Sequence, residues 1–359
     1  MSRLRARAAV FLITVALGCT AAVAPALAVT KASAPAAKPA PAVTKPATAV
    51  TKPAAASGWL ARQMVKGSHF VTVLDGVTYP DQGETIDAIF AFAAGKSANA
   101  YGSRAIKWLE QSSILHNYIG VGTESYAGAT AKLALAAEVR DDNPANFGKV
   151  NLIARLAKLL TKSGRYSDHS AYGDYSNAFS QSLAIIALSR HGGVPAKAVG
   201  FLISSECENG GYPLDFAQKT CVSDTDATAL VAQALLAAGQ RAPAIRGLNW
   251  LVRVQQRNGG LDAAGGTRPN ANTTGLAGEA FADAGWKYHP QLAAKFLTSL
   301  QVGCSRPAAE RGALKYDSTG FAKSTAVDAT AQGVLGLADI SLAKLSARGA
   351  SNATPRLAC

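Results

Sequence analysis

The chain has 359 residues, of which 48% are hydrophobic, 7% aromatic and 16% charged, and its formal net charge is +13. Seven of its cations (three Arg in the first seven residues, then Lys31, Lys38, Lys45 and Lys52) stand in the N-terminal stretch. They leave +6 over about 300 residues, with no basic run interleaved with aromatic residues. Nucleic acid is therefore not an expected partner.

The N-terminus has the pattern of a signal peptide. Arg3, Arg5 and Arg7 precede an apolar run over 8–18, and the triplet 26–28 matches a small-x-small cleavage site. That run is shorter than the roughly 20 residues of a membrane span. We predict a signal peptide over 1–28 and a secreted or cell-surface protein. Cys19 leaves lipidation as an alternative, although the preceding Leu and Ala stand in the wrong order for a lipoprotein motif.

Residues 29–57 form a linker of Ala, Pro, Lys, Thr and Val. The sequence Ala-Val-Thr-Lys-Pro-Ala occurs twice, at 42–47 and 49–54. Such a composition cannot bury a core, so we predict an extended, disordered spacer. Its lysines suit an anionic cell envelope, and a simple soluble tether is the alternative.

Two helix types alternate from residue 58 onward. The outer type carries charges on one face and a Trp-Leu or Phe-Leu pair, and successive anchors lie 46–49 residues apart. The inner type is small, apolar and nearly uncharged beyond its first turn, as expected of a helix buried all round. The outer anchors are Trp59, Trp108, Phe201, Trp250 and Phe296, with a weaker copy near Leu156, and the predicted inner segments are 85–95, 126–139, 177–191, 226–239, 273–285 and 326–340.

This alternation predicts an all-α fold. A helix pair cannot bury its own apolar face, so the repeats must stack. The last inner helix remains apolar instead of acquiring the polar face of a capping repeat, which favours closure. We predict a monomeric, closed (α/α)6 toroid of six helical hairpins over 58–345.

The six outer-to-inner connections are long and should share one rim. We call them the rim loops: 67–81, 113–123, 162–174, 207–223, 257–272 and 303–323. Long loops of this kind are often functional, and helix N-termini favour anionic or hydroxyl-rich groups. A small molecule or glycan is the expected ligand, and no cofactor is identified. The candidate contacts are Tyr79, Asp81, Tyr166, Asp168, Tyr172, Tyr212, Asp215, Asn270 and Asn272.

Four cysteines follow the predicted signal peptide, an even number that suggests two disulfides in an exported protein. The nearest pairing joins Cys207 to Cys221, and joins Cys304 to Cys359 so that the tail 346–359 is held. No Cys-x-x-Cys motif or nearby His supports a metal site.

The segment 244–260, with Asn249-Trp250-Leu251 and terminal Gly259-Gly260, resembles the QW-type repeat of squalene and terpenoid cyclases and protein prenyltransferase β subunits. The segment 198–212 is a second copy. The resemblance implies an α/α toroid. It implies no single activity, since that superfamily also includes cobalamin-binding transport proteins.

The segment 224–229 resembles the Asp-x-Asp-Asp-Thr-Ala motif of class II cyclases. In that family the acid matching Asp226 protonates an alkene, and a supporting carboxylate stands where this chain has Ala227. The other interpretation is that Asp224 or Asp226 caps the inner helix, as Asp81 does in capping-box spacing with Glu84.

Three functions follow from these observations. The first is an exported ligand-binding module of the prenyltransferase and squalene-cyclase-like fold. The second is an exported polysaccharide hydrolase or lyase on the same scaffold, and the third is a degenerate terpenoid cyclase using Asp224 and Asp226. A hydrolase needs two carboxyl groups about 5–10 Å apart. The loop acids considered for that role are Asp168, Asp174, Asp215, Asp262, Glu310 and Asp317.

Overall fold

The computed structural model describes residues 50–359. The predicted signal peptide and the linker up to residue 49 lie outside the described residues. The described chain is mostly helical. Its α-helices are α1 (Lys52–Ala61), α2 (Gln82–Ala94), α3 (Asn99–Leu109), α4 (Ser112–Ile119), α5 (Ala127–Val139), α6 (Leu152–Leu159), α7 (Ala178–His191), α8 (Ala196–Ser204), α9 (Thr225–Ala237), α10 (Arg241–Val254), α11 (Ala271–Asp283), α12 (Tyr288–Leu300) and α13 (Lys323–Leu337).

Outer and inner helices alternate along the chain. The inner helices α2, α5, α7, α9, α11 and α13 begin and end within three residues of the predicted segments. Each packs against the next inner helix, and α13 also packs against α2. The outer helix α1 packs against both α2 and α13. The first and last repeats are therefore in direct contact.

Small residues allow the inner helices to approach closely. In α5 the run from Ala134 to Ala137 is fully buried, and in α7 so is the run from Ala184 to Ala187. The contact between α11 and α13 is closer still. A Cβ atom added to Gly336 would lie 2.8 Å from the Cα atom of Gly275. These two helices thus pack backbone to backbone, which only glycine permits at that spacing.

A buried threonine near the start of four inner helices anchors the preceding rim loop. Its hydroxyl oxygen accepts a hydrogen bond of 2.8–2.9 Å from a loop amide. The pairs, acceptor first, are Thr85 with Phe70, Thr228 with Tyr212, Thr274 with Leu261 and Thr330 with Leu314. In α7 the side chain of Gln181 does the same for the amide of Tyr166 at 2.8 Å. This recurring bond positions the rim relative to the inner helices.

The all-α prediction needs one correction. The rim loop 67–81 contains an antiparallel hairpin of β1 (Phe70–Leu74) and β2 (Val77–Asp81). Its turn residues Asp75 and Gly76 both have positive φ, at 51° and 75°. An Asp-Gly pair between segments rich in Val and Thr is the usual hairpin signal, because that turn matches the twist of the strands.

Both ends of the predicted domain differ in the structure. Helix α1 begins at Lys52, inside the segment predicted as linker, and Ala55, Ala56 and Ser57 are buried. Thr51 caps it through a 3.3 Å bond from the amide of Ala54. A Pro at the first helical turn is favourable, so the linker composition did not exclude a helix start here.

The C-terminal tail comprises the whole segment after α13, 338–359, and lies across several helices. The carbonyl oxygen of Leu342 accepts from Arg190 of α7 at 3.1 Å, and the amide of Ala98 donates to Ala353 at 2.7 Å. Lys344 forms an ion pair of 2.8 Å with Asp283. The disulfide Cys304–Cys359 holds its end, and Cys207–Cys221 closes the other predicted loop. Both predicted pairings are confirmed.

Candidate functional site

Side chains cap the N-termini of four inner helices at the rim. Asp81, Asn177, Asp224 and Asn270 precede α2, α7, α9 and α11, and each accepts a hydrogen bond from an amide of the first turn. Asp224, for example, accepts from Ala227 at 2.7 Å. These residues satisfy orphan amides and orient the helix starts toward the rim. These four capping side chains have a structural role, and the buried acidic and basic groups of the candidate site lie beside them.

The first reactive group is a carboxyl pair between the first and last inner helices. The carboxyl group of Glu84 in α2 faces that of Asp328, an exposed residue of α13. Burial, followed by this contact, raises the pKa of Glu84 well above its usual range. The protonated form of Glu84 is therefore favoured. The Oε1 atom of Glu84 is fully buried and accepts no hydrogen bond from an amide, amine or hydroxyl of residues 50–359.

An ion pair stands next to this carboxyl pair. The Nζ atom of Lys132 in α5 lies 2.7 Å from Asp87 of α2 and donates to the carbonyl oxygen of Gly83 at 3.2 Å. Burial alone would lower the pKa of Lys132, but Asp87, Tyr118 and Glu84 raise it above its usual value. Burial raises the pKa of the neighbouring Tyr118 to about 12. Lys132 thus remains an ammonium ion among acidic groups.

A further acid lies at the start of α9. Asp226 does not cap the helix. The hydroxyl of Thr273 in α11 stabilises its charged form, yet burial raises its pKa to about 6. Its Oδ1 atom is fully buried and has no hydrogen-bond partner in the described part of the chain. Asp226 is therefore a protonatable carboxyl group at the rim, and Asp224 alone performs the capping role.

The raised pKa of Asp226 leads to a testable prediction about the free energy of unfolding. Its value rises from 3.8 to about 6 on folding, so the fold loses stability as the pH rises through this interval and does not regain it above. Asp226→Asn removes this cost. We expect the variant to be about 1–3 kcal/mol more stable than the wild type at pH 8 and nearly equal to it at pH 4. Urea unfolding at both pH values measures this difference.

Asp75→Asn is the matched control, because Asp75 is exposed in the hairpin turn and Asn tolerates a positive φ. It should leave stability unchanged at both pH values. A loss of stability for Asp226→Asn at pH 8 would contradict the assignment of a disfavoured buried charge.

Glu279 of α11 is a third buried acid, with only 2% of its surface exposed. Burial raises its pKa well above the usual range, while a 3.4 Å bond from Gln233 and the charge of Asp87 act on it as well. The side-chain oxygen of Gln233 accepts from the amide of Leu342 in the tail at 3.2 Å. The tail therefore bonds to the same side-chain network as the acid.

We use the name mouth cluster for Glu84, Asp87, Lys132 and Asp328, whose charges act on one another, and for Asp226, which stands beside α11 at the start of α9. All five stand in the N-terminal half of an inner helix, on α2, α5, α9 and α13. The cluster holds four carboxyl groups against one ammonium group. Asp87 is paired with Lys132, and the raised pKa of Glu84 favours its protonated form. It can therefore bind hydrogen-bond donors and exchange protons near neutral pH.

Comparisons with known proteins address the fold. No sequence-family model matches the chain, and neither does any curated protein. Among solved structures, the type II terpene cyclase MstE from Scytonema is similar with a TM-score of 0.60 and 13% identity, covering 80% of this chain and 96% of that one. A novel alpha-amylase from Clostridium perfringens has a TM-score of 0.59 at 12% identity, covering 82% and 99%.

The unsaturated glucuronyl hydrolase from Bacillus sp. GL1 is also similar, with a TM-score of 0.55 at 11% identity and coverage of 80% and 95%. The fold is of the α/α-toroid type. At such identities the likeness concerns the architecture and not the reaction. The α/α fold that the QW-type repeats imply agrees with these structures.

Two predicted contacts are buried within this toroid-type fold. Tyr166 and Tyr212 are each 0% exposed, so neither side chain lines an open rim. Their amides form the recurring loop anchors described above. The hydroxyl of Tyr212 donates to Glu206 at 3.3 Å. Both tyrosines pack the rim loops onto the inner helices, which corrects their prediction as ligand contacts.

Other predicted contacts have structural partners. Asp168 accepts from the amide of Ala127 at 2.7 Å and so ties its rim loop to the start of α5. Asp81 and Asn270 are helix caps, and Asn270 is buried. The sequence predicted the capping by Asp81, but the Glu84 side chain faces Asp328 and does not complete a capping box.

The remaining predicted contacts lie near the surface. Tyr79 is half-buried in β2, and Tyr172 is 49% exposed. Asp215 lines a rim pocket of about 260 Å³ together with Asp224. Asn272 of α11 has a fully buried Oδ1 atom without a partner in residues 50–359. Contact of these four with a ligand stays a prediction.

Most of the mouth cluster was not predicted from the sequence. The inner helices were expected to be nearly uncharged beyond their first turn, so the candidate carboxylates were loop acids. Asp168 and Asp174 of that set bond to loop amides. The available signal was a charge inside an otherwise apolar inner helix, as with Asp87 and Lys132, because such charges are seldom buried without a partner.

Two further observations concern residues 50–359. No helix there is long and apolar enough to cross a membrane. No three or more His, Cys, Asp or Glu side chains of that range are placed to hold a metal ion. The two disulfides fit an oxidising, extracellular environment.

Proposed function

We propose that this chain is an exported module that binds a small ligand rich in hydroxyl or ammonium groups. The six helical hairpins close into a ring, and the mouth cluster lies at the entrance of its lumen. The observation that carries the proposal is that two buried carboxyl oxygens of the mouth cluster, Oε1 of Glu84 and Oδ1 of Asp226, accept no hydrogen bond from an amide, amine or hydroxyl of residues 50–359. Asn272 adds a third such acceptor.

The chemistry of these atoms defines the ligand. A buried acceptor without a donor costs about 1–3 kcal/mol, which a bound hydroxyl or ammonium group can offset. The acceptors on Asp226 and Asn272 stand on the neighbouring helices α9 and α11, so one ligand could satisfy both, whereas Glu84 stands on α2. Two of the similar structures are described as an alpha-amylase and a hydrolase in glycosaminoglycan degradation. A glycan is therefore the first ligand class to test.

The test is a binding screen of the full, disulfide-bonded chain against neutral, amino and acidic oligosaccharides, followed by calorimetry on each hit. We expect Glu84→Gln and Asp226→Asn each to weaken binding about tenfold, because each removes a carboxyl group that receives a ligand donor. Glu208→Gln is the matched control, since Glu208 is an exposed carboxylate on a rim loop. Hits that are unaffected by both mouth variants would overturn the proposal.

A polysaccharide hydrolase or lyase is the second candidate, favoured by the carboxyl pair. Burial raises the pKa of Glu84 and favours its protonated form, which could donate a proton to a glycosidic oxygen. Asp328 is too close to serve as the second carboxylate, which must lie at least about 5 Å away. Asp87 would take that role. Release of reducing ends that Glu84→Gln abolishes and Glu208→Gln preserves would support this candidate.

The terpenoid cyclase is the third candidate, and only Asp226 favours it. Asp226 is a buried acid, with Tyr316 close enough for its charge to act on that phenol. The position of the supporting carboxylate is Ala227. Turnover of a polyprenyl substrate that survives Asp226→Asn would exclude this assignment.

The predicted signal peptide and lysine-bearing linker give the proposal its location. They would deliver the module to the outside of the cell, and the linker lysines would hold it near an anionic envelope. The disulfides are compatible with this location. Mass spectrometry of the secreted chain tests it, since cleavage after Ala28 and a lipid on Cys19 give different masses.

A further inference from the structure

A pocket of about 350 Å³ opens beside the outer helix α12, and none of its lining residues belongs to the mouth cluster. Three cations surround it: Arg257 from one rim loop, Lys295 from α12 and Lys315 from the next rim loop. No Asp or Glu lines the pocket. The volume lies in the range of small-molecule sites in proteins, roughly 300–1,000 Å³.

These three cations have no acidic partner. Ion pairs elsewhere on the surface include Arg246 with Glu206 at 2.6 Å and Arg306 with Glu310 at 2.7 Å. Within residues 50–359, neither Arg257, Lys295 nor Lys315 lies within 4.0 Å of a carboxylate.

The acid nearest to Lys315 in the sequence is Asp317, and its carboxylate accepts from the amide of Thr319 at 2.8 Å. Three like charges around one concavity repel each other unless an anion joins them.

The floor of the pocket has a different character. Phe296 and Leu300 are buried beneath it, and Leu292 forms part of the wall. Ser299 and Ser318 also line the pocket, and the hydroxyl of Ser299 donates to the carbonyl oxygen of Phe296 at 2.6 Å. An apolar floor with a polar, cationic edge fits a compact molecule that has one hydrophobic face and one anionic group.

We propose that this pocket binds an acidic sugar unit through its carboxylate or phosphate group. The anionic group contacts Lys295 and Lys315, with Arg257 as a bidentate donor, and the apolar face of the sugar ring covers Phe296. This site is independent of the mouth cluster, and its chemistry is opposite, since the mouth cluster is rich in acceptors and this pocket is rich in donors.

Calorimetry on the full chain tests the proposal, with D-glucuronate and glucose 6-phosphate as probes and glucose as the uncharged comparison. Both anions should bind, or one of them if the site selects carboxylate or phosphate, and glucose should not. Raising the salt concentration from about 20 mM to about 300 mM should weaken binding severalfold, because exposed charges are screened.

The variant Lys295→Gln with Lys315→Gln should weaken anion binding about tenfold. Lys107→Gln is the matched control. Lys107 precedes Trp108 and Leu109 as Lys295 precedes Phe296 and Leu297, so it occupies the same repeat position without the pocket. It should bind as the wild type does, and thermal melting checks that each variant is folded.

Two results would overturn the proposal. One is failure of both anions to bind at low salt. The other is an equal loss of affinity in the Lys107→Gln and Lys295→Gln chains, which would indicate an unspecific effect of net charge. Because Glu84→Gln leaves this pocket intact, anion binding should persist in that variant whatever the mouth cluster does.

Discussion

Replacing Gly336 by alanine should lower the free energy of unfolding by about 2–3 kcal/mol, as overpacking of a close contact does. The new Cβ atom would lie 2.8 Å from Cα and 2.9 Å from the carbonyl oxygen of Gly275, and 2.9 Å from a methyl group of Leu297. Backbone atoms cannot turn away as a side chain can, so α11 and α13 would have to separate. Equilibrium unfolding in guanidinium chloride at pH 7 measures the loss.

The control is Gly200→Ala in the interior of the outer helix α8. No atom lies within 4 Å of a Cβ added there. Alanine is the better helix former by about 0.5–1 kcal/mol, so this variant should be slightly more stable than the wild type. Equal effects of the two substitutions would show that helix propensity, and not the contact of α11 with α13, decides the result.

Removing the disulfide at the end of the tail is the second change with a large expected effect. Cys304 and Cys359 are 55 residues apart, whereas Cys207 and Cys221 are 14 apart. A cross-link stabilises mainly by restricting the unfolded chain, and the longer loop gains more. We expect Cys359→Ser to cost about 4 kcal/mol and Cys221→Ser about 3 kcal/mol. Urea unfolding of both variants under non-reducing conditions gives the values.

The tail should make the first of these losses larger in practice. Its residues bond to α7, to α11 and to the turn before α3, so a freed C-terminus can also detach from the domain. A Cys359→Ser chain as stable as the wild type would show that those bonds alone hold the tail. A Cys221→Ser chain that is the less stable of the two would contradict the loop-length argument.

The two proposed sites differ in how much of each could be predicted from the sequence. Lys295 is part of a repeat anchor, but only folding places it beside Arg257 and Lys315 at one pocket. The sequence motif singled out both Asp224 and Asp226. In the structure Asp224 caps α9, whereas Asp226 is a buried acid that does not cap it. The motif could not show this, because capping and burial depend on the helix start and on Thr273 of a neighbouring helix.

The sequence by itself determined the alternation of helices and the cysteine pairing. Both follow from local properties: the face on which apolar residues recur, the small residues of helices buried all round, and the proximity of Cys207 to Cys221. The hairpin was also readable, since Asp75-Gly76 stands between two segments of strand-forming residues. The hairpin was not predicted because the rim loops were expected to be irregular.

Only the tertiary structure decided which charges meet. Glu84 and Asp328 stand at opposite ends of the domain sequence and come together because α13 packs against α2. Tyr166 and Tyr212 belong to rim loops in the sequence, but the hydrogen bonds of their amides to the inner helices hold them in the core. Side-chain burial and pKa depend on neighbours from distant repeats, and no local pattern encodes those neighbours.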